Sequence, residues 1–119
     1  MVHTHHAIDY VEFIVTDLER SKRFYADAFG WRFNDYGPAY AGIRGPHDDA
    51  PEAGGIRTDG EVRRGGPLVL LYSSDLNASV DAVRAAGGSV VEGPYEFPGG
   101  RRFHFTDPSG NELGVWSER

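Results

Sequence analysis

Apolar and polar positions alternate most strictly between Phe97 and Trp116, FPGGRRFHFTDPSGNELGVW. Arg102, His104 and Thr106 alternate with Phe103 and Phe105, the pattern of a strand with one polar and one apolar face. Asp107-Pro108-Ser109-Gly110 reads as a turn, because Pro presets φ and Gly takes a conformation that a Cβ disfavours. Beyond it Leu113 and Val115 alternate with Glu112, Gly114 and Trp116, a second strand. Phe103, Phe105, Leu113 and Val115 are expected under helices. The polar set faces either water or a cavity.

The rest of the chain follows the same logic. Ile8 to Thr16 is β-branched and aromatic and predicts a strand. Val11, Phe13 and Val15 share one face; Tyr10, Glu12 and Ile14 share the other. Thr16 with Glu19 forms a capping-box pattern, and Asp17 and Glu19 suit a helix N-terminus. Leu18, Ser21, Phe24, Tyr25, Ala28 and Phe29 recur at helical spacing, and Gly30 stops the helix. Trp31 to Phe33 and Tyr40 to Arg44 read as strands around the turn Asp35 to Pro38. Residues 45–66 are rich in Gly, Pro and Asp and read as a short strand near Gly55 to Thr58 or as one long loop. Leu68 to Tyr72 predicts a strand. Ser74-Asp75 opens a second helix with Val80, Val83 and Ala86 on one face, ended by Gly87-Gly88. Ser89 to Val91 is a strand, and Gly93 to Gly100 a loop.

The two halves repeat. A shift of 58 residues superposes Asp17-Leu18 on Asp75-Leu76, Ser21 on Ser79, Ala28 on Ala86, Gly30 on Gly88 and Val11 on Val69. Strand, cap, helix and glycine stop recur in one order, so the unit is strand-helix-strand-strand-strand, used twice. The modules run over about 7–64 and 65–119, within a single domain.

Composition narrows the function. With 18 acidic against 12 basic residues, the formal charge of -6 disfavours nucleic acid and anionic membranes as partners. No apolar run approaches the roughly 20 residues that span a bilayer. There is no signal-peptide pattern. No cysteine is present, which excludes disulfides, thiolate nucleophiles and Cys-zinc sites. A cytoplasmic protein is the default expectation. His3, His5 and His6 in the polar start could bind a transition metal, but a flexible tail or cloning remnant is the plainer reading.

Thr16 to Trp31 (TDLERSKRFYADAFGW) and Phe103 to Leu113 (FHFTDPSGNEL) resemble the vicinal oxygen chelate superfamily, which includes glyoxalase I, bleomycin-resistance proteins and extradiol dioxygenases. With the repeat, the resemblance covers nearly the whole chain. It implies an α+β fold of two βαβββ modules, each a curled, half-open sheet with its helix outside. It also implies one divalent metal, held by His or Glu near the start of each module's first strand and on each last strand. The first-strand ligand, seven residues before the helix-capping Asp, falls on Tyr10 and Leu68. The last-strand Glu, four residues after the turn glycine, falls on Gly114, and the 58-residue repeat places its counterpart near Ile56. Leu, Ile and Gly offer no lone pair, and neutral Tyr is a poor ligand. Glu112 has the same facing as Gly114 but lies about 7 Å back along the strand. The expectation is therefore no metal and no cofactor.

Strand parity then lists the cavity face: Tyr10, Glu12 and Ile14; Leu68, Leu70 and Tyr72; Arg102, His104 and Thr106; Gly114 and Trp116. Apolar and aromatic walls with few polar groups suit a small organic molecule. Tyr10, Leu68, Leu70, Tyr72, Arg102 and Trp116 are the candidate ligand-binding residues, and Glu12 and His104 the candidate catalytic pair. Glu12 interrupts an apolar strand and needs a partner, for which Arg102 or His104 is the candidate. An internal ion pair with no function, and for Trp116 simple packing, are the structural alternatives. Arg101 reads as a solvated charge.

Three functions fit: a metal-free binder of the bleomycin-resistance type; a lyase or isomerase with Glu12 as general base and His104 or Arg102 stabilising an anion; or a metalloenzyme with a displaced site of Glu12, His104 and His47. A homodimer is expected, since two half-open cups leave sheet edges and apolar rims to cover.

Overall fold

The computed structural model describes residues 3–119; Met1 and Val2 of the polar tail lie outside the described residues. Two four-stranded sheets form, one per module. In the first, β1 (Val11–Ile14), β2 (Phe33–Asp35), β3 (Tyr40–Ile43) and β4 (Gly54–Arg57) are ordered β1-β4-β3-β2. In the second, β5 (Leu70–Tyr72), β6 (Ser89–Phe97), β7 (Gly100–Thr106) and β8 (Glu112–Ser117) are ordered β5-β8-β7-β6. The order repeats, and each first strand runs parallel to its module's last strand.

Each module has one helix, α1 (Leu18–Phe29) or α2 (Leu76–Ala85). The caps are Asp17 and Asp75, whose carboxylates accept from the N–H groups of Arg20 and Ala78 at 3.1 Å. Each satisfies one of the four N–H groups that a helix start leaves open. Thr16, expected in that role, instead gives its N–H to Ser109 Oγ at 2.8 Å. The stripe on α1 buries Leu18, Ser21, Phe24 and Tyr25; that on α2 buries Leu76, Val80 and Val83. These helices cover Phe103, Phe105, Leu113 and Val115, which form the main core with them. A smaller core of Val15, Leu18, Ala41, Ile43 and Ile56 lies beneath the first sheet.

Some elements differ from the pattern. Trp31 is not in β2, which begins at Phe33; its ring stacks on Tyr25 at 4.6 Å. The expected loop from Gly93 to Gly100 is mostly strand: β6 continues to Phe97 through two register shifts, near Glu92 and before Tyr95. A Gly-Pro pair inside a strand reads as a break, but a bulge lets pairing resume beyond it.

The modules are joined where the end of β1 meets the turn between β7 and β8. Asn111 Nδ2 donates to the Ile14 carbonyl at 2.8 Å, and the Tyr25 hydroxyl donates to Asp107 Oδ2 at 2.8 Å. The edge of β1 thereby comes to face that of β5 across a seam.

Candidate functional site

A cavity of about 810 Å³ opens along this seam. Val11, Phe13, Ile14, Leu68 and Val69 supply its apolar wall, and Glu12, Arg57, Arg64, His104, Asn111 and Glu112 its polar groups. Its volume and mixed lining suit a small organic molecule. Glu12, His104 and Leu68 line it, together with Val11, Phe13 and Val69, which parity assigned to the opposite face; His47 does not.

Glu12 and His104 share the cavity but do not bond to each other. Glu12 Oε2 accepts from the Tyr40 hydroxyl at 2.7 Å, and Arg57 Nε lies 3.4 Å from Oε1. Glu12 is not buried: its side chain is 43% exposed. Neither Arg102 nor His104 is therefore its partner. Arg57 Nε is itself buried without a hydrogen bond, so the approach to Glu12 is an ion pair of imperfect geometry. Beside them Glu52 accepts from Asn34 Nδ2 at 2.8 Å and from the hydroxyls of Tyr36 and Tyr10. The donors, Tyr36 first, hold the Glu52 carboxyl below its usual range. The Tyr10 hydroxyl lies 3.0 Å from both Glu52 Oε1 and the Tyr40 hydroxyl. Burial, then its bonds to Tyr10 and Glu12, push the Tyr40 phenol far above its usual value.

His104 belongs to a second network. Arg102 Nε donates to the Tyr95 hydroxyl. That hydroxyl lies 2.9 Å from His104 Nε2, and His104 Nδ1 lies 2.9 Å from Glu112 Oε2. Arg64 donates to Glu112 Oε1 at 2.7 Å. Because Arg102 can only donate and Glu112 accepts at both ends, the polarity runs Arg102 to Tyr95 to His104 to Glu112. Arg64, and after it His104, hold the Glu112 carboxyl below its usual range.

Tyr10, Leu70 and Tyr72 are all exposed. Register brings Tyr72 beside Trp116, Trp116 beside Arg102, and Arg102 beside Tyr95. These residues lie outside the seam cavity. The pattern reading missed Tyr95, hidden behind the Gly-Pro pair. It also missed Glu52, which precedes β4 in the Gly-rich stretch, and Tyr40, whose alternation with Gly42 gave a usable sign of its facing.

A model of the Glyoxalase/Bleomycin resistance protein/Dioxygenase superfamily matches residues 7–115. The chain belongs to this superfamily. A glyoxylase-like domain-containing protein of Didymella fabae is 31% identical over 116 residues, covering 87% of this chain and 88% of that one. The anthracycline biosynthesis protein DauV of Streptomyces sp. (strain C5) is 32% identical over 117 residues, 92% of this chain but only 40% of that protein's length. The crystal structure of TnmS3, an antibiotic binding protein from Streptomyces sp. CB03234, superposes with a TM-score of 0.69 at 24% identity, covering 98% of each chain.

The superfamily's metal can be tested against the residues at its four positions. By register, the partner of Glu12 on the last strand of the first module is Gly55; Ile56, one position on, is fully buried in the core. A Cβ on Gly55 would lie 2.1 Å from the Tyr40 hydroxyl oxygen, so Tyr40 already fills that space. A Cβ on Gly114 would lie 2.5 Å from Leu70 Cδ2, so an apolar side chain fills the matching space in the second module. Tyr10 and Leu68 complete the four. This set does not fit a divalent cation, which needs several oxygen or nitrogen donors converging on one point. Among the described residues, no group of three or more His, Asp or Glu side chains is placed to hold a metal elsewhere.

Proposed function

We propose that this superfamily member binds a small organic molecule in the seam cavity between its two modules, without a metal. The carrying observation is that the metal-ligand positions are filled by Tyr10, Gly55, Leu68 and Gly114, while the cavity beside them keeps an apolar wall and Glu12, Arg57, Arg64 and His104. The descriptions of DauV and TnmS3, an anthracycline biosynthesis protein and an antibiotic binding protein, support a polycyclic or antibiotic-like ligand. The test is a thermal-shift screen of such compounds on untagged protein, with and without a chelator, beside elemental analysis. Compounds should raise the melting temperature equally in both conditions. A stoichiometric divalent metal that is lost in Glu12→Gln overturns this reading.

A second reading is catalysis, with Glu12 as general base for a lyase or isomerase. The favouring observation is that Glu12 lines the cavity while Tyr40 donates to one of its oxygens and Arg57 Nε lies 3.4 Å from the other. Following a bound compound over time separates the readings: recovery unchanged means binding alone, and conversion abolished by Glu12→Gln means catalysis.

We also propose a homodimer. Tyr10, Tyr36 and Leu70 leave large apolar surfaces exposed, which a second copy would cover. Sedimentation showing only monomer at micromolar concentration removes this claim. No helix among the described residues is long and apolar enough to cross a membrane; the cytoplasm is the compartment we propose.

A further inference from the structure

Arg102 is held unusually firmly for a residue on an open sheet face. Its Nε is committed to the Tyr95 hydroxyl. Its guanidinium carbon lies 5.4 Å from the ring centroids of both Tyr95 and Phe97. Among the described residues no carboxylate lies within ion-pairing distance of it; Arg20, Arg23, Arg84, Arg101 and Arg119 are unpaired too, but of these six only the Arg102 side chain is held by a hydrogen bond. The side chain is fixed while its charge is left uncompensated.

What fixes it runs into the protein. The Tyr95 hydroxyl accepts from Arg102 and points its proton at His104 Nε2, His104 bonds Glu112, and Arg64 closes the far end. His104 is 8% exposed, so the middle of this chain is shielded from water. The register shift before Tyr95 brings it opposite Arg102, as bulges commonly re-aim side chains. With Nε used, the guanidinium keeps its two terminal amino groups. A planar fork with both ends free matches the two oxygens of a carboxylate. On one side Trp116 is the cross-strand neighbour of Arg102, and Tyr72 meets Trp116 edge-on at 5.1 Å. The strip therefore offers one fixed cation beside ring surface, with Glu118 at the far end accepting from the Tyr72 hydroxyl at 3.1 Å.

We infer that this strip of the second module is a binding site for the carboxylate of an aromatic acid, with Arg102 as the contact residue and Tyr95 as its positioning residue. This strip lies outside the seam cavity, so the inference goes beyond the small-molecule reading of the cavity and adds a second site. The acid group sits on the Arg102 fork, and its ring lies along Trp116 and Tyr72. Tyr95 does not meet the ligand. It holds the plane of the guanidinium, and His104 keeps the Tyr95 proton turned away from Arg102.

The experiment compares two probes of equal shape, 2-naphthoate and 2-naphthalenemethanol, by titration calorimetry on the intact chain. The carboxylate should bind about tenfold more tightly than the alcohol, with an advantage that shrinks as salt rises. Arg102→Gln should erase the difference and leave the alcohol's affinity unchanged. Arg102→Lys, which keeps charge without the fork, should retain only part of it. Tyr95→Phe should reduce it while Arg101→Gln, on the neighbouring position, leaves it intact. Melting curves accompany each variant. Equal binding of both probes, or an advantage that survives in folded Arg102→Gln, overturns the acid site and leaves the small-molecule reading standing. Failure of both probes to bind at millimolar concentration overturns the acid site, while hits in the thermal-shift screen still support the seam cavity.

Discussion

Removing one oxygen, in Tyr25→Phe, tests how the two modules are held together. Tyr25 is fully buried, and its hydroxyl donates to Asp107 Oδ2 at 2.8 Å. Asp107 is 4% exposed and also accepts from the N–H groups of Ser109 and Asn111 and from Asn111 Nδ2. Phe at position 25 keeps the stack on Trp31 and the edge contact with Phe24. The loss is therefore one donor of four on a buried carboxylate. A hydrogen bond to a charged group contributes about 1.5–3 kcal/mol. For a chain of this size that corresponds to a drop of about 6–12 °C in melting temperature. The pH dependence carries a second signature. Burial, then the Asp107 charge, then the hydrogen bond raise the Tyr25 phenol well above its usual 10.0. A group raised in the folded state contributes stability that is complete below its unfolded value and fades as pH rises above it. Wild type should lose stability on the alkaline side, and Tyr25→Phe should lose less. Tyr10, Tyr36, Tyr40 and Tyr72 are raised too, so the slope should shrink and not vanish. The assay is thermal melting followed by circular dichroism from neutral pH to about pH 11. An unchanged melting temperature with an unchanged alkaline slope would refute the buried bond as the joint between modules.

Phe24→Ala and Phe103→Ala should each cost about 3–5 kcal/mol through the cavities they leave, read from denaturant midpoints. Both side chains are at most 1% exposed, and unchanged stability in both would mean that helix and strand face the other way. Glu12→Gln keeps an acceptor for Tyr40 but loses the charge opposite Arg57. With Glu12 43% exposed, the cost to stability should stay under about 1 kcal/mol, while ligand affinity or turnover falls. A clearly lower melting temperature with unchanged affinity would assign Glu12 to structure. On the acid side, Glu112 titrates below its usual value because of Arg64 and then His104. Its contribution is present above the ordinary carboxylate range and is lost as pH falls through the lowered value. Acid melts of Glu112→Gln should therefore fall less steeply than those of wild type, and parallel curves would show the pair to be inert.

The fold was legible because its signals are local and repeated. The α1 stripe, the Asp-Pro-Ser-Gly turn and the alternation around Phe103 and Phe105 each fix a period or a turn from neighbouring residues alone. The strand, helix cap, helix and glycine stop, recurring 58 residues on, point to paired modules. Alternation holds along β8 in the same way: Leu113 and Val115 are buried in the core and Trp116 is half-buried. What parity cannot supply is distance across the molecule or register at an irregularity. The step from Gly114 back to a position near Ile56 lands within one residue: register gives Gly55, paired with Glu12 as Gly114 is with Leu70. The strand beyond the Gly-Pro pair is where parity fails. A break in the local pattern hid a long strand, and with it Tyr95.

The pairing of Glu12 with His104 shows the limit most clearly. Both line the same cavity, as do Val11 and Phe13 of the opposite strand face. They stand, however, on different sheets, and no hydrogen bond crosses the seam to link β1 and β5 as a continuous ladder. Each carries its own neighbours with it: Tyr40 and Arg57 come to Glu12 along the first sheet, Tyr95 and Glu112 to His104 along the second. A polar group in a sheet finds its partner first among cross-strand and diagonal neighbours, a few ångströms away and fixed by the ladder. Groups on separate sheets meet only if the gap between those sheets is narrow. Here the gap is the cavity itself. That separation is why Glu12 and His104 each find their partners within their own sheet, on opposite sides of the cavity.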